Sequence, residues 1–295
     1  MTEVALALRP SLAEAERTRW WRTMSRSTSG ILGLCLAAAL ALLVLASVSR
    51  LLPYDALAQH PADALQPPSW RYWFGTDQFG RDVFARTADA TRLSFQVALL
   101  AIMLAALVGS AAGIVAGYVG GWVETAVVAA ADILFAFPAI LLALVVVTAL
   151  GSGWFNTALA VAIVYTPIFA RVARGPVLAL RNREFVLAGR MLGFSQARLL
   201  LKHILPNVLP AIVVQVTLSL AWAILTESSL SFLGLGTQPP NASLGLMVSD
   251  ATPLASIAWW TLVFPALLIV LAVLAINLLG DALRDVVDPT SYERR

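Results

Sequence analysis

The chain has 295 residues, 59% of them hydrophobic and only 13% charged. A soluble domain carries about 25% charged residues, so an ordinary soluble globular protein is excluded. The net charge is only +3, and the lone cysteine, Cys35, excludes a disulfide within the chain and a cysteine-based metal site.

Uncharged runs cover Ser27–Ser49, Leu93–Val123, Ile133–Ala170, Ile204–Thr226 and Ala251–Gly280. Crossing a bilayer takes about 20 apolar residues in a helix, so each run can span at least once. The third run is too long for one crossing, and Gly151-Ser152-Gly153 with Asn156 divides it. The expected architecture is all-α and polytopic, with six spans near 28–50, 93–117, 123–149, 154–172, 207–233 and 257–280.

The N-terminal segment 1–27 is polar, and Trp20 and Trp21 beside Arg19 and Arg22 suit a membrane interface. Ala46-Ser47-Val48 faintly resembles a cleavage site. The leader is long and the apolar run exceeds a signal core, so an uncleaved first span is expected. An external loop, 51–92, follows. Within it Gly75-Thr76-Asp77 and Gly80-Arg81-Asp82 read as turns, and Asp77 or Asp82 can cap the next helix. In the second span Gly109, Gly113 and Gly117 recur every four residues, which allows close helix approach. Pro138, Pro167 and Pro265 favour kinks in later spans.

The stretch Arg171–Pro210 holds seven of the twenty basic residues and a single acid, Glu184. Gly193-Phe194-Ser195 interrupts it, giving a first short helix from Arg183 to Leu192. A second, Gln196–Ile204, would be capped by Ser195. Loops rich in Lys and Arg stay cytoplasmic. With six spans this segment, the N-terminus and the C-terminal tail 282–295 share that side. Two roles compete for the segment: a helix pair resting on anionic lipid, or a docking surface for a cytoplasmic partner.

Two acids fall at or near membrane depth. Glu227 lies near the outer end of the fifth span and Asp132 in the inner half of the third. Such residues are candidates for a pathway or gate, together with Ser228. Pairing or helix packing competes for both acids, and packing is expected for Asn277. Asp281, Asp285 and Asp288 share one helical face after the last span, a solvated face or a contact to the 171–202 bases rather than a metal site. His60 and His203, the two histidines, fall on opposite sides of the membrane, against a shared metal or a hydrolase centre. An intramembrane enzyme is thereby disfavoured. An ion-coupled secondary transporter would place charges at the midplane in repeated halves, and few such charges and no internal repeat are present.

The basic segment resembles the EAA motif of membrane subunits in binding-protein-dependent ABC importers. Leu187-Ala188-Gly189 stands at the motif's opening, Gly193 at its glycine, and Ile204-Leu205-Pro206-Asn207 at its close. Leu187 replaces the usual acid and Gly189 the second alanine. GTDQFGRD at 75–82, ESSLSFLGLGTQPPNASLGLM at 227–247 and NLLGDALRDVVDP at 277–289 resemble further blocks of dipeptide, oligopeptide and nickel permeases. The resemblance is to their C-type subunit. It implies a type I importer permease fold over 93–281, with coupling helices within 175–205. Arg183, Glu184, Phe185, Val186, Leu187, Ala188, Gly189, Arg190, Leu192, Gly193, Phe194 and Ser195 would contact an ATPase, with Phe185, Val186 and Leu192 filling its groove.

The resemblance further implies a B-type permease partner and two ATPase subunits or one two-domain ATPase. An external solute-binding protein would dock at Gly75, Asp77, Arg81, Asp82, Gln238 and Pro239. Lipid is a partner and nucleic acid is not. The chain has no phosphate-binding GxxxxGK[ST] loop, so no cofactor is expected on it, and ATP and Mg belong to the ATPase. The location implied is the inner membrane of a prokaryote. Peptides are the expected solute, with nickel or another small solute as alternatives.

Overall fold

The structure is a computed structural model that describes residues 28–49 and 51–287. The expected interfacial pair Trp20–Trp21 and the last acid of the C-terminal cluster, Asp288, lie outside them. The described chain is helical, with no strand beyond an isolated bridge between Thr76 and Asp82.

Helix α1 covers Thr28–Val48 and α2 Val83–Val119. Next come α3, Gly121–Phe135, and α4, Ala139–Leu150. Helix α5 runs from Trp154 to Leu180 and α6 from Glu184 to Met191. A four-residue helix α7, Gln196–Leu199, passes through a π-helical turn, Leu200–Ile204, into α8, Leu205–Phe232. Helix α9, Leu244–Ala251, and α10, Trp259–Val287, complete the chain.

Five of these helical stretches are long and apolar enough to cross a membrane, with α7 and α8 counted as one. A sixth crossing exists only as the pair α3–α4, which is bent by 94°. The third span was expected to be continuous over 123–149. The chain breaks because Pro138 holds Phe137 out of helical geometry and itself adopts an extended conformation, φ −56° and ψ 132°. The turn at 151–153 falls where the glycines predict it, with Gly151 and Gly153 at φ 90° and 144°. Pro167 and Pro265 lie inside α5 and α10.

The centre of the fold is the contact of α2 with α5. A Cβ on Gly109 or Gly113 would overlap the carbonyl oxygens of Thr166 or Ala170, and one on Gly117 would lie 3.1 Å from Val177. The three glycines thus let two backbones touch, and van der Waals packing replaces the hydrophobic effect that lipid cannot supply. Helix α1 rests on α10, where Gly33 fits against Leu278. Helix α10 in turn packs on α8, with Gly280 against Thr217. At 37 residues α2 is roughly 55 Å long, well beyond a hydrocarbon thickness of about 30 Å. Helix α2 is thus longer than one crossing requires, and its first turns lie in a folded cap with the 51–82 loop.

Candidate functional site: the basic segment and a polar cap

Helix α6 begins at Arg183, whose backbone is extended at φ −73° and ψ 148°. It ends in a Schellman turn. The amide of Phe194 donates to Gly189 O at 3.0 Å and that of Gly193 to Arg190 O at 3.0 Å. Gly193 sits at φ +75°, a left-handed conformation that costs any other L-residue. Ser195 Oγ then accepts the amide of Arg198 at 3.4 Å and caps α7, as its position predicts. Gly189 is buried because a Cβ there would stand 2.7 Å from Leu199 and 3.3 Å from Phe194. The departure from alanine at 189 thus lets α6 close down on α7.

The segment divides into an anchored side and a free side. Val186 is fully buried within the chain and Phe194 stacks on His203, so both support the helix from within. Arg190 lies over the ring of Tyr118 at 5.1 Å, and the Tyr118 hydroxyl donates to Gln196 Oε1. These contacts join the segment to the inner end of α2. Arg198 covers the Phe194 ring at 5.2 Å. Arg183, Glu184, Ala188 and Ser195 are exposed. So are Phe185, Leu187, Leu192 and, at 91%, Met191. Four large apolar side chains left exposed on one short helix and its cap are the kind of surface that marks a protein interface. Leu187 and Met191 are one turn apart. That spacing was available to find Met191, which the motif comparison passed over, whereas Tyr118 and Gln196, 78 residues apart, carried no local signal.

The polar cap is built on buried polar contacts. Asp77 Oδ1 accepts the amides of Phe79 and Arg81 at 2.9 and 3.0 Å, and Oδ2 pairs with Arg81 Nε at 2.6 Å. Arg86, from the first turn of α2, approaches the same oxygen at 3.6 Å. Asp82 accepts the amide of Ala85 at 2.6 Å and caps α2. Burial holds its carboxyl above the ordinary carboxylate range, against the pull of the Ala85 and Phe84 amides. Gly75 and Gly80 have φ of +73° and +70°, and a Cβ on Gly80 would overlap His60 O. Trp260 Nε1 closes the cap by donating to Thr76 O at 3.0 Å. On the neighbouring loop Gln238 Nε2 donates to Gly234 O and Gly236 O at 2.9 and 3.2 Å, while Pro239 is exposed.

Between these ends lie the membrane-depth acids. Glu227 is 1% exposed and accepts the Ser231 hydroxyl at 2.7 Å; Ser94, Ser228 and Ser243 surround it. Ser243 also caps α9, and the amide of Leu244 donates to Ser94 Oγ at 3.3 Å, so this cluster joins α2, α8 and α9. Asp132 instead pairs with Arg171 at 3.0 Å, from α3 to α5. A second pair, Glu124 with Arg174, ties the same helices nearer the basic segment. The bases of the 171–202 segment therefore have different partners: Arg171 and Arg174 hold acids, and Arg181 Nη1 donates to Gly117 O at 2.9 Å. The side chain of Asp285 lies outside the described residues, and Asp281 is exposed.

Comparison with known proteins places this geometry. The family described as the binding-protein-dependent transport system inner membrane component matches residues 109–291. The dipeptide transport system permease protein DppC of Alkalihalophilus pseudofirmus is 41% identical over 91% of this chain and 88% of its own length. The glutathione transport system permease protein GsiD of Shigella flexneri is 44% identical over 92% and 91%. Among solved structures, an inward-facing form of the MetNI methionine ABC transporter superposes with a TM-score of 0.53 at 17% identity. It covers 66% of this chain and 93% of its own, and it supports the fold alone. By the span of the family match and the identity to these relatives, the chain belongs to the inner membrane components of binding-protein-dependent transport systems.

Proposed function

We propose that this chain is one of two homologous permease subunits of an ATP-driven importer of peptides. It is non-catalytic and couples to an ATPase through residues 183–196. The exposed apolar residues of α6 and its cap carry the reading: Met191 and Leu192 are largely exposed and Phe185 and Leu187 partly so, while Val186, Gly189 and Phe194 hold the helix in place. An ATPase groove would bury those four side chains, each contributing roughly 1.5–3 kcal/mol if fully covered. Helix α7 then runs on into α8, so a push on the segment is a push on a spanning helix.

The solute class follows from the relatives, which are named for dipeptide and for glutathione, itself a peptide. The basic segment and both termini face the cytoplasm of a prokaryote in this reading, and the cap faces a solute-binding protein. ATP and Mg stay on two ATPase subunits or one two-domain ATPase. Gly75, Asp77 and Asp82 shape the cap, and Arg81, Gln238 and Pro239 offer it to the binding protein. Glu227 and Ser228, closed in among serines, serve packing at the outer end. Extraction in mild detergent tests the core of the proposal: the ATPase should co-purify with the chain. Retention of both ATPase and peptide uptake after 183–196 is replaced by a Gly-Ser linker would overturn it.

A further inference from the structure

Two features that a lipid-facing surface does not tolerate occur on one side of α3 and α5. The first is an open ion pair. Arg171 and Asp132 are 62% and 57% exposed although they bond each other at 3.0 Å. Asp132 lies eleven residues into α3, so the pair stands about 16 Å along the helix axis from the level where α2 turns into α3. A hydrocarbon layer about 30 Å thick that begins at that turn would have the pair near its middle. Charged groups at such depth face a water-filled cavity or another protein.

The second is a break in the helical backbone. The 94° break between α3 and α4 leaves residues 135–141 exposed without interruption. Non-helical backbone at membrane depth is tolerated only where protein covers it or water reaches it. The two features are adjacent: the Arg171 guanidinium sits 4.4 Å from the centre of the Phe135 ring, the last residue of α3. The Glu227 cluster shows the contrast, since its acid is 1% exposed and shut inside the protein among serines.

From this we infer that Arg171, Asp132, Phe135 and the α3–α4 break line the translocation pathway. There they serve solutes that carry a carboxylate and an ammonium group together. Arg171 offers donors to the carboxylate, and Asp132 with the Phe135 ring receives the ammonium. Because the two charges neutralise each other when the path is empty, a zwitterion can exchange with the pair without leaving an unpaired charge in a low-dielectric region. The inference rests on the importer reading and adds to it a place and a chemistry.

The lone cysteine makes a direct test possible. In a Cys35→Ala background, Phe137→Cys and, as a lipid-facing control, Leu42→Cys are prepared in the assembled permease–ATPase complex in proteoliposomes. They are labelled with a cationic and an anionic water-soluble methanethiosulfonate. The cysteine at 137 should react with both reagents and the one at 42 with neither. Arg171→Gln should lower the anionic-to-cationic rate ratio at 137 about tenfold, and Asp132→Asn should raise it about tenfold. The neutral double variant should return it to within twofold of the starting ratio, and it also serves where a single variant assembles poorly. A cysteine at 137 as unreactive as that at 42, or a ratio indifferent to both charges, would overturn the inference. Failure of the unsubstituted chain to hold an ATPase would instead count against the importer reading.

Discussion

The outer and inner ends of this molecule are finished in opposite ways. The polar cap satisfies itself: Asp77 takes two amides and two arginines, Asp82 caps α2, and Trp260 bonds across 184 residues to Thr76. The basic segment closes only its inward side, through Val186, Gly189 and the Gly193 turn, and leaves four large apolar side chains exposed. One end is shaped before any partner arrives, whereas the other is complete only when a partner covers it.

Substitutions at four positions break or sharpen that contrast. Gly80→Val in the cap should have the largest effect, about 3 kcal/mol or more, because it adds a Cβ into His60 O at a positive φ. Thermal unfolding in detergent should show it, and a stability unchanged within 0.5 kcal/mol, on the scale typical of ordinary surface sites, would mean that the cap is not self-supporting. Met191→Asp should leave unfolding unaltered and cost about 2 kcal/mol of ATPase affinity, roughly thirtyfold in co-purification titrations. Equal affinity would remove Met191 from the contact. Gly193→Ala strains both properties at once, by about 1–2 kcal/mol, since it raises the energy of the turn that orients α6. Smallest is the cap of α2. Asp82→Ala should cost about 1 kcal/mol, and Asp82→Asn only a few tenths. The raised carboxyl sets the sign of its pH dependence: its protonated form is the better buried, so the contribution of Asp82 to stability falls as pH rises through its folded value. Asp82→Asn should therefore flatten the unfolding profile on the acidic side, and an unchanged slope there would contradict the burial argument.

Much of this was legible in the residues. The helical class, the turn at 151–153, the caps at Asp82 and Ser195, the turn at Gly193 and the close approach at Gly109, Gly113 and Gly117 all depend on local chemistry, which sequence carries directly. What escaped depends on distant partners. Pro138 marks a disturbance, but whether a proline bends a membrane helix or breaks it is decided by what packs beside it. The pairs Asp132–Arg171 and Glu124–Arg174 join residues 39 and 50 apart. Counted along the chain, those arginines belong to a basic segment facing the cytoplasm; in space they are struts between α3 and α5. Glu227 was visible as an anomaly, yet its serine enclosure is assembled from three helices.

The π-helical turn at Leu200–Ile204 makes α7 and α8 one helical body from Gln196 to Phe232. At 37 residues it is roughly 55 Å long. No loop separates its inner tip, where Gln196 meets Tyr118, from its outer tip, where Glu227 meets α9. Under the proposed coupling such a body would act as a crankshaft: torque applied at the Gln196 tip would be delivered at the opposite end with the same sense of rotation. The widened turn is then the point of torsional compliance, and the number of residues within it sets the phase between the two ends.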